Sequence, residues 1–352
     1  MKKPRRQVHS AAHPTTAATV DISRLLEIVS EFHTRKIAIL ADLVLDEFVS
    51  GEISRVSREA PVLILRHRET SGLPGGGANA INNIASLGAE ALPVGAVGDD
   101  ESGRVLLEYF KAREIDFSGI EVAKGWTTPT KTRFLAGWAH TSTQQVLRVD
   151  REPQSPLPPK IKSGLAKSTR DRVRQSDALL VSDYGFGAAD SQTIHALKGL
   201  KLVTLDSRYG LLHFRRAGIT AATPNEAELE AIYHHSIGAN ETELQNFGQR
   251  LLEEMRLKAL LVTRGRDGMM LFESAAPPQK IPIYGSDRAR DVTGAGDTVI
   301  AAFTLALAVG ASYFEAAHLA SFAGGIVVMK HATATVSRAE IETALRAAIS
   351  NS

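Results

Sequence analysis

The chain has 352 residues, 43% of them hydrophobic and 23% charged, with a formal net charge of +2 and no cysteine. That length and apolar share allow one α/β domain of about 300 residues with a small appendage, or two domains. The near-neutral balance gives no electrostatic case for nucleic acid or a membrane surface. The missing cysteines exclude disulfides, thiol catalysis and Cys-ligated metal, and they fit the cytosol.

Residues 1–20 carry Lys2, Lys3, Arg5 and Arg6, but His9, His13, Pro14 and several threonines break the following stretch. No secretory apolar core can form there, and the segment reads as a flexible tail. No apolar run reaches the roughly 20 residues of a membrane span. Apolar residues at 22, 25, 26, 29 and 32 predict a helix capped by Asp21. Lys36–Ala41 predicts a short buried strand ending on Asp42, with a second acid at Asp46. An acid just past a parallel strand lies where open α/β sheets bind ligands, although a cap or loop acid is the simpler reading of either alone.

Val49 to Arg68 mixes β-branched and polar residues and predicts an exposed strand pair. Pro74-Gly75-Gly76-Gly77-Ala78-Asn79 is a glycine turn entering a helix. It formally fits G-x-G-x-x-A, with Asp99 and Asp100 downstream, but the polar residues 66–73 offer no buried first strand for a dinucleotide fold. Small residues here would let a ligand lie against the backbone, with Asn79 pointing at it.

A strand over 91–98 and a helix over 102–112 follow. Thr130–Ala136 and Gln144–Asp150 predict a hairpin with one wet face. After a Pro-rich connector at 153–159, strands at 178–182, 201–206, 219–222, 259–263 and 269–273 alternate with helices. Those helices are predicted at about 160–174, 189–197, 225–234, 240–256, 295–309, 312–330 and 337–350. Such alternation implies a doubly wound, mainly parallel sheet with helices on both faces. Polar residues recur at the strand ends: Asp183, Asp206, Asn225 and Glu228, and Thr263 to Gly268.

Near the C-terminus comes Asp291-Val292-Thr293-Gly294-Ala295-Gly296-Asp297, then an apolar run to Val309. Two glycines before a helix free backbone N–H groups, and the helix dipole adds positive character, which makes an anion site. A carboxylate beside a bound phosphate would repel it. Asp297 makes sense instead as a base taking a proton from an attacking hydroxyl. A tight turn with Asp297 as a cap is the bland alternative.

Asp-Val-Thr-Gly-Ala-Gly-Asp, together with Gly-Gly-Gly-Ala-Asn, resembles the signatures of the ribokinase-like (PfkB) sugar kinases, over about residues 36–340. Within that family, segments such as Asp42–Asp46, Ser54–Val62, Ser182-Asp183-Tyr184 and Thr333–Ser337 are most similar to D-glycero-β-D-manno-heptose-7-phosphate kinases of lipopolysaccharide-core biosynthesis.

The resemblance implies a kinase domain over 21–352 with a small β-sheet lid at about 47–72 and 127–149, whose closure excludes water. Asp297 would be the base, with Gly294, Ala295 and Gly296 stabilising the transferring phosphoryl group. Asp46 and Asn79 would hold sugar hydroxyls, with Gly75 and Gly76 against the sugar. Thr263, Gly265, Gly268, Thr293 and Asn225 would border the nucleotide. Asn225 and Glu228 would organise Mg²⁺, largely through water. ATP and Mg²⁺ are the implied cofactors, with a monovalent cation as an optional third, and a homodimer through the lid is an expectation from family habit. A sugar phosphate calls for cations, for which Lys131, Arg133, Arg148 and Arg208 are the candidates.

Three departures from the heptose-kinase pattern stand out. Phe186 replaces the lysine of Asp-Tyr-x-Lys-Gly, Ser207-Arg208 replaces Pro-Lys, and the usual Gly-Thr is missing from 330–335. Another sugar or a nucleoside as acceptor, and a non-catalytic sugar- or nucleotide-binding homologue, remain the alternatives. Many heptose kinases continue into a nucleotidyltransferase; with Ser352 as the last residue, that activity is expected to be absent.

Overall fold

A computed structural model describes residues 20–138, 143–197, 202–285, 291–330 and 333–350. The tail expected over residues 1–20 lies outside the described residues apart from Val20, as does Lys201 of the expected 201–206 strand. The strands are β1 (Lys36–Ala41), β2 (Leu43–Val56), β3 (Leu63–Gly76), β4 (Glu90–Gly98), β5 (Ile120–Ala123), β6 (Thr130–Gly137) and β7 (Gln144–Arg151), followed by β8 (Ala178–Asp183), β9 (Val203–Ser207), β10 (Ala221–Ala222), β11 (Ala259–Thr263), β12 (Met269–Glu273) and β13 (Ala276–Ile281). The helices are α1 (Ile22–Ser30), α2 (Gly77–Ser86), α3 (Glu101–Ala112), α4 (Pro159–Val173) and α5 (Ser191–His195), then α6 (Glu226–Tyr233), α7 (Glu241–Met255), α8 (Ala295–Val309), α9 (Tyr313–Val327) and α10 (Arg338–Ser350).

The large sheet has the order β13-β12-β11-β10-β9-β8-β1-β4-β5. It is parallel from β11 to β5, while β12 and β13 run antiparallel at one edge. Successive side chains of a strand face opposite ways, and the core divides accordingly. Ile37 and Ile39, Leu180 and Leu261 join the cluster under α1, α2, α8, α9 and α10. Their neighbours Ala38 and Leu40, Val181 and Val262 join the cluster under α4, α5, α6 and α7. Strands buried on both faces read as continuous apolar runs, which is why they are legible in the sequence. The largely apolar α8 is buried from Asp297 to Ala306, as its composition requires.

The second sheet has the order β3-β2-β6-β7. β2 pairs antiparallel with β3 and parallel with β6, and β6 pairs antiparallel with β7. Asp42 alone separates β1 from β2, so the second sheet grows directly from the C-terminal edge of the parallel strands, as a lid would. The polar stretch before the glycine turn is the lid strand β3. It delivers the chain antiparallel to β2, unlike the parallel first strand of a dinucleotide fold. β5 and β13 are not foreseen by the alternation: β5 is only four residues long, and Ala276–Ile281 carries two prolines that argue against a strand interior.

Candidate active site

Residues 291–294 turn sharply into α8, with Gly294 left-handed at φ 76°. A Cβ there would come within 2.5 Å of the Asn79 amide nitrogen, so glycine is required for space as well as for conformation. The turn sets Asp297 in the first helical turn, 2% exposed. Asn79 Nδ2 donates to Asp297 Oδ2 at 3.0 Å and to the Gly294 carbonyl at 3.2 Å. The Tyr184 hydroxyl donates to Asp297 Oδ1 at 2.9 Å. Burial pushes the Asp297 carboxyl up to about 7, and Asp46 adds to this, while Asn79, Tyr184 and the Arg208 charge pull the other way. A carboxyl titrating there is suited to general-base work at neutral pH.

The Asn79 amide is itself oriented from behind. Asn83 Nδ2 donates to Asn79 Oδ1 at 3.1 Å, and Thr298 Oγ1 donates to Asn83 Oδ1 at 3.0 Å. This differs from the expected sugar contact: the Asn79 amide already serves Asp297, Gly294 and Asn83, which leaves it without a free hydrogen for a sugar hydroxyl. The Ala295 amide is also used within the turn, on the Val292 carbonyl at 3.2 Å. Gly296 follows at the second position of the helix, where the N–H lacks an intrahelical acceptor, and open space lies over its Cα.

Asp46 sits across from this floor at the base of the lid. Arg133 donates to its Oδ1 at 2.6 Å and Thr333 to its Oδ2 at 2.8 Å. Arg133 is itself buried over the Phe48 ring, so this member of the expected cation set is already paired. The Asp46 carboxylate also explains Gly75, where a Cβ would fall 2.5 Å from its Cγ. Gly76, at φ 51°, leaves room for the Tyr184 ring, 3.3 Å from where a Cβ would stand. Both glycines therefore answer to the protein's own side chains.

Lys131 is half-buried, 3.9 Å from Asp150, and Arg148 donates to Asp150 at 2.7 Å. Burial lowers the Lys131 pKa, the nearby Arg148 and Arg208 charges lower it further, and Asp150 and Asp46 oppose them. Arg208 lies exposed at the mouth, its guanidinium 5.5 Å from the Tyr209 ring.

Asn225 and Glu228 form a capping box on α6: Glu228 N donates to Asn225 Oδ1 at 2.8 Å, and Asn225 N donates to Glu228 Oε2 at 2.9 Å. The N-x-x-E spacing thus has a folding role as well. Asp206, at the end of β9, faces Glu228; burial and the charges of Glu228, Asp297 and Asp183 raise its pKa well above the usual carboxylate range. Burial raises Glu228 as well. Two carboxyls held this way favour a neighbouring cation. Among the described residues no cluster of three or more His, Asp or Glu could hold a metal by itself. The pair suits a hard cation that keeps its waters and takes its other ligands from a phosphate.

Beyond α8 lies a cleft of about 180 Å³, lined by Thr263, Gly265, Gly268, Val292, Gly296 and Gly325 among others. Its walls are mostly apolar and its rim is the helix N-terminus, which is what a flat base followed by phosphates requires.

The pfkB family carbohydrate kinase pattern matches residues 43–340. The chain belongs to the pfkB family of carbohydrate kinases. It is 33% identical over 323 residues to the bifunctional protein HldE of Desulfatibacillum aliphaticivorans, covering 90% of this chain and 64% of that protein. It is 37% identical over 331 residues to the protein of the same name from Haemophilus ducreyi, covering 91% and 66%. The chain therefore spans about two thirds of the length of these relatives. Its fold is that of phosphofructokinase-2 from Escherichia coli in complex with potassium (TM-score 0.71, 18% identity, 89% of this chain and 98% of that one) and of Arabidopsis thaliana ribokinase complexed with ribose and ATP (TM-score 0.70, 19% identity, 89% and 99%).

As a pfkB kinase, the protein acts on a carbohydrate with ATP and a divalent metal. Among the described residues no helix is long and apolar enough to cross a membrane. The fold brings Asp297, Gly294, Gly296, Asn79 and Asp46 to one edge of the sheet, with Lys131, Arg148 and Arg208 above them. Thr293 lies one residue from the cleft lining, with its N–H bonded to Asp291 Oδ1 at 2.9 Å. The sequence marks Asp206 and Tyr184 only as members of polar strand-end stretches without a role of their own, and does not mark Asn83 or Thr333 as site residues. Tyr184 follows β8 directly and Asp206 lies in the last two residues of β9, within quoted motifs, a usable signal; Asn83 sits one helical turn from Asn79, and Thr333 reaches Asp46 across 287 positions.

Proposed function

We propose that this kinase transfers the γ-phosphoryl group of ATP to D-glycero-β-D-manno-heptose 7-phosphate, giving the 1,7-bisphosphate, in the cytoplasm and for lipopolysaccharide biosynthesis. The observation that carries the phosphoryl-transfer part is Asp297, buried at the N-terminus of α8 with its carboxyl pushed up to about 7, beside a base-sized cleft. The sugar-phosphate part is supported by the cations Lys131, Arg148 and Arg208, whose mutual repulsion a phosphate would relieve. The curated relatives named as bifunctional HldE proteins agree with this choice.

In this reading the sugar lies between Asp46 and Asp297. Asp297 takes the proton of the attacking hydroxyl as the phosphoryl group arrives in line. The Gly296 amide and the α8 dipole stabilise charge on the transferring oxygens. Asn225 and Glu228, with Asp206 facing Glu228, would hold Mg²⁺, largely through water; when bound, it would neutralise phosphate charge. Closure of the lid sheet over the sugar would exclude water as a competing acceptor. The exposed apolar side chains Val146, Leu147 and Val149 of β7 support a homodimer through the lid.

One observation favours a second reading, a kinase for another sugar or nucleoside. Phe186, where the heptose kinases carry lysine, packs against the apolar core and offers no charge to a substrate. ADP release coupled to product mass, over heptose 7-phosphate, fructose phosphates, ribose, fructose and nucleosides, decides between them. Turnover of heptose 7-phosphate alone is the expected result. A better acceptor elsewhere in the panel would move the assignment to that substrate.

A further inference from the structure

The loop after β8 holds a buried acid that phosphoryl transfer does not use. Asp42, 1% exposed, accepts three backbone N–H groups from that loop. Its Oδ2 takes Tyr184 N and Phe186 N, both at 2.9 Å, and its Oδ1 takes Ala188 N at 2.8 Å. Gly185 and Gly187 are left-handed, at φ 81° and 91°, and this alternation turns every second amide inward. The nest so formed is an anion site already filled by the chain's own carboxylate. Both oxygens of Asp42 are needed for three donors, which an asparagine cannot match.

The same loop is fixed at other points. Phe186 packs on the core below, Gly185 N donates to Asp183 Oδ1 at 2.9 Å, and Ser207 Oγ donates to Asp183 Oδ2 at 2.6 Å. The Tyr184 ring lies against the Cα side of Gly76. The loop is thus tied down at several points, and it sends the Tyr184 hydroxyl to Asp297. Burial and the Asp297 charge raise the Tyr184 pKa well above its usual value, so the hydroxyl stays a donor.

We propose that Tyr184 is a positioning residue for Asp297, and that Asp42, by folding the 184–188 loop around itself, is the anchor that holds Tyr184 in place. This rests on the reading of Asp297 as the base. Asn79 grips one carboxylate oxygen from the floor helices, and Tyr184 grips the other from across the sheet edge. With both oxygens held, the carboxylate cannot rotate away from the hydroxyl it must deprotonate. The donors also favour its ionised form. The other charges facing Asp297 are those of Asp46 and Asp206, which oppose ionisation, and Arg208, which favours it.

Tyr184→Phe removes only the hydroxyl. Hydrogen bonds to charged groups are strong enough that kcat is expected to fall ~10-fold or more, with KM for ATP and sugar within ~2-fold. The acid limb of the kcat–pH profile, expected near pH 7 in the wild type, should move to higher pH. A merely structural tyrosine would not move that limb. Asp42→Asn should shift it in the same direction, and the double variant should be no worse than the worse single one. If Asp42→Asn does not fold, Tyr184→Phe decides alone. A Tyr184→Phe enzyme with the wild-type kcat and pH profile overturns the proposal, as do additive losses in the double variant. Asp297→Asn, assayed beside them, separates the two layers. If it is inactive while Tyr184→Phe is unaffected, only this inference falls. If it remains active, the base assignment falls and takes the inference with it.

Discussion

The floor and the roof of the site are built on opposite plans. On the floor, α2 and α8 pack against each other, and Asn79, Asn83, Asp297 and Thr298 are all buried between them. Each makes hydrogen bonds to another member of the set. On the roof, β7 is exposed along its whole length, and Arg148 hydrogen-bonds Asp150 on its own strand. Buried polar groups must be satisfied and so become fixed, whereas exposed ones are cheap to change. On the proposed reading, the chemistry of the kinase rests on the part of the site that tolerates least variation, and the recognition of its substrate on the part that tolerates most.

The sharpest break of the floor is Asp297→Asn. Loss of the base should lower kcat by on the order of 10³-fold or more, read as ADP release. Folding should not suffer in the same way. Burial pushes the carboxyl up to about 7 in the folded protein, against roughly 4 for a solvated aspartate in the unfolded chain, so the native state holds the proton more tightly. Stability conferred by the protonated form is present below about pH 4 and is lost as pH rises through about 7. Urea melts from pH 4.5 to 8 should show this decline in the wild type and a weaker one in the variant. Equal slopes would mean that Asp297 is not the group responsible.

Arg133 is the exception on the roof, because its charge is buried against Asp46. Truncation as Arg133→Met leaves Asp46 with Thr333 alone, and removing one member of a buried pair costs about 3–5 kcal/mol. Denaturant unfolding should show that loss, and Asp46→Asn in the same background should recover part of it. A loss under about 1 kcal/mol would place Arg133 with the solvated lid charges.

The two glycines at the head of α8 sharpen the contrast within one turn. Gly294→Ala must hold φ 76° and push on the Asn79 amide, so stability should fall by about 1–3 kcal/mol and kcat with it. Gly296→Ala meets nothing within 4 Å. It should leave stability within about 0.5 kcal/mol. Its methyl group would enter the cleft beside α8, so with the nucleotide bound there as proposed, KM for ATP should rise severalfold. A Gly296→Ala enzyme with unchanged KM would put the triphosphate elsewhere.

The division between floor and roof also decides what could be read from the sequence. The sheet strands are buried on two faces, so Ile37–Ala41 and Leu179–Val181 announce themselves as apolar runs, and α8 does so as an apolar helix after a glycine turn. Asp297 stands out through the resemblance of its motif to the pfkB signature, since a tight turn with a capping acid explains the seven residues by themselves as well. The sequence singles out Asn79 but not its partners: Asn83 lies one helical turn away on α2, while only the fold brings Asp297 to Asn79 and Thr298 to Asn83, the latter two 215 positions apart in the chain. Asp42 showed as an acid past a strand, the same signal as Asp46. One is closed inside a loop and the other opens toward the lid, and nothing local distinguishes them. β5 and β13 are short or proline-bearing edge strands whose pairing partners alone define them.

The smallest effects are expected on the roof. Lys131→Gln and Arg148→Gln remove cations whose ion pairs are partly solvated, so melting midpoints should correspond to changes within about 0.5 kcal/mol. Their effect should fall on KM for a phosphorylated sugar, by about 3- to 10-fold each, with kcat at saturation nearly unchanged because the floor is untouched. The same KM should rise with ionic strength in the wild type and less steeply in the variants, because salt screens exposed charges. An unphosphorylated acceptor should show neither dependence. If both kinds of acceptor respond alike to the two substitutions, these cations shape the lid and do not read the phosphate. The selectivity of the site would then have to come from Asp46 and the lid's closure.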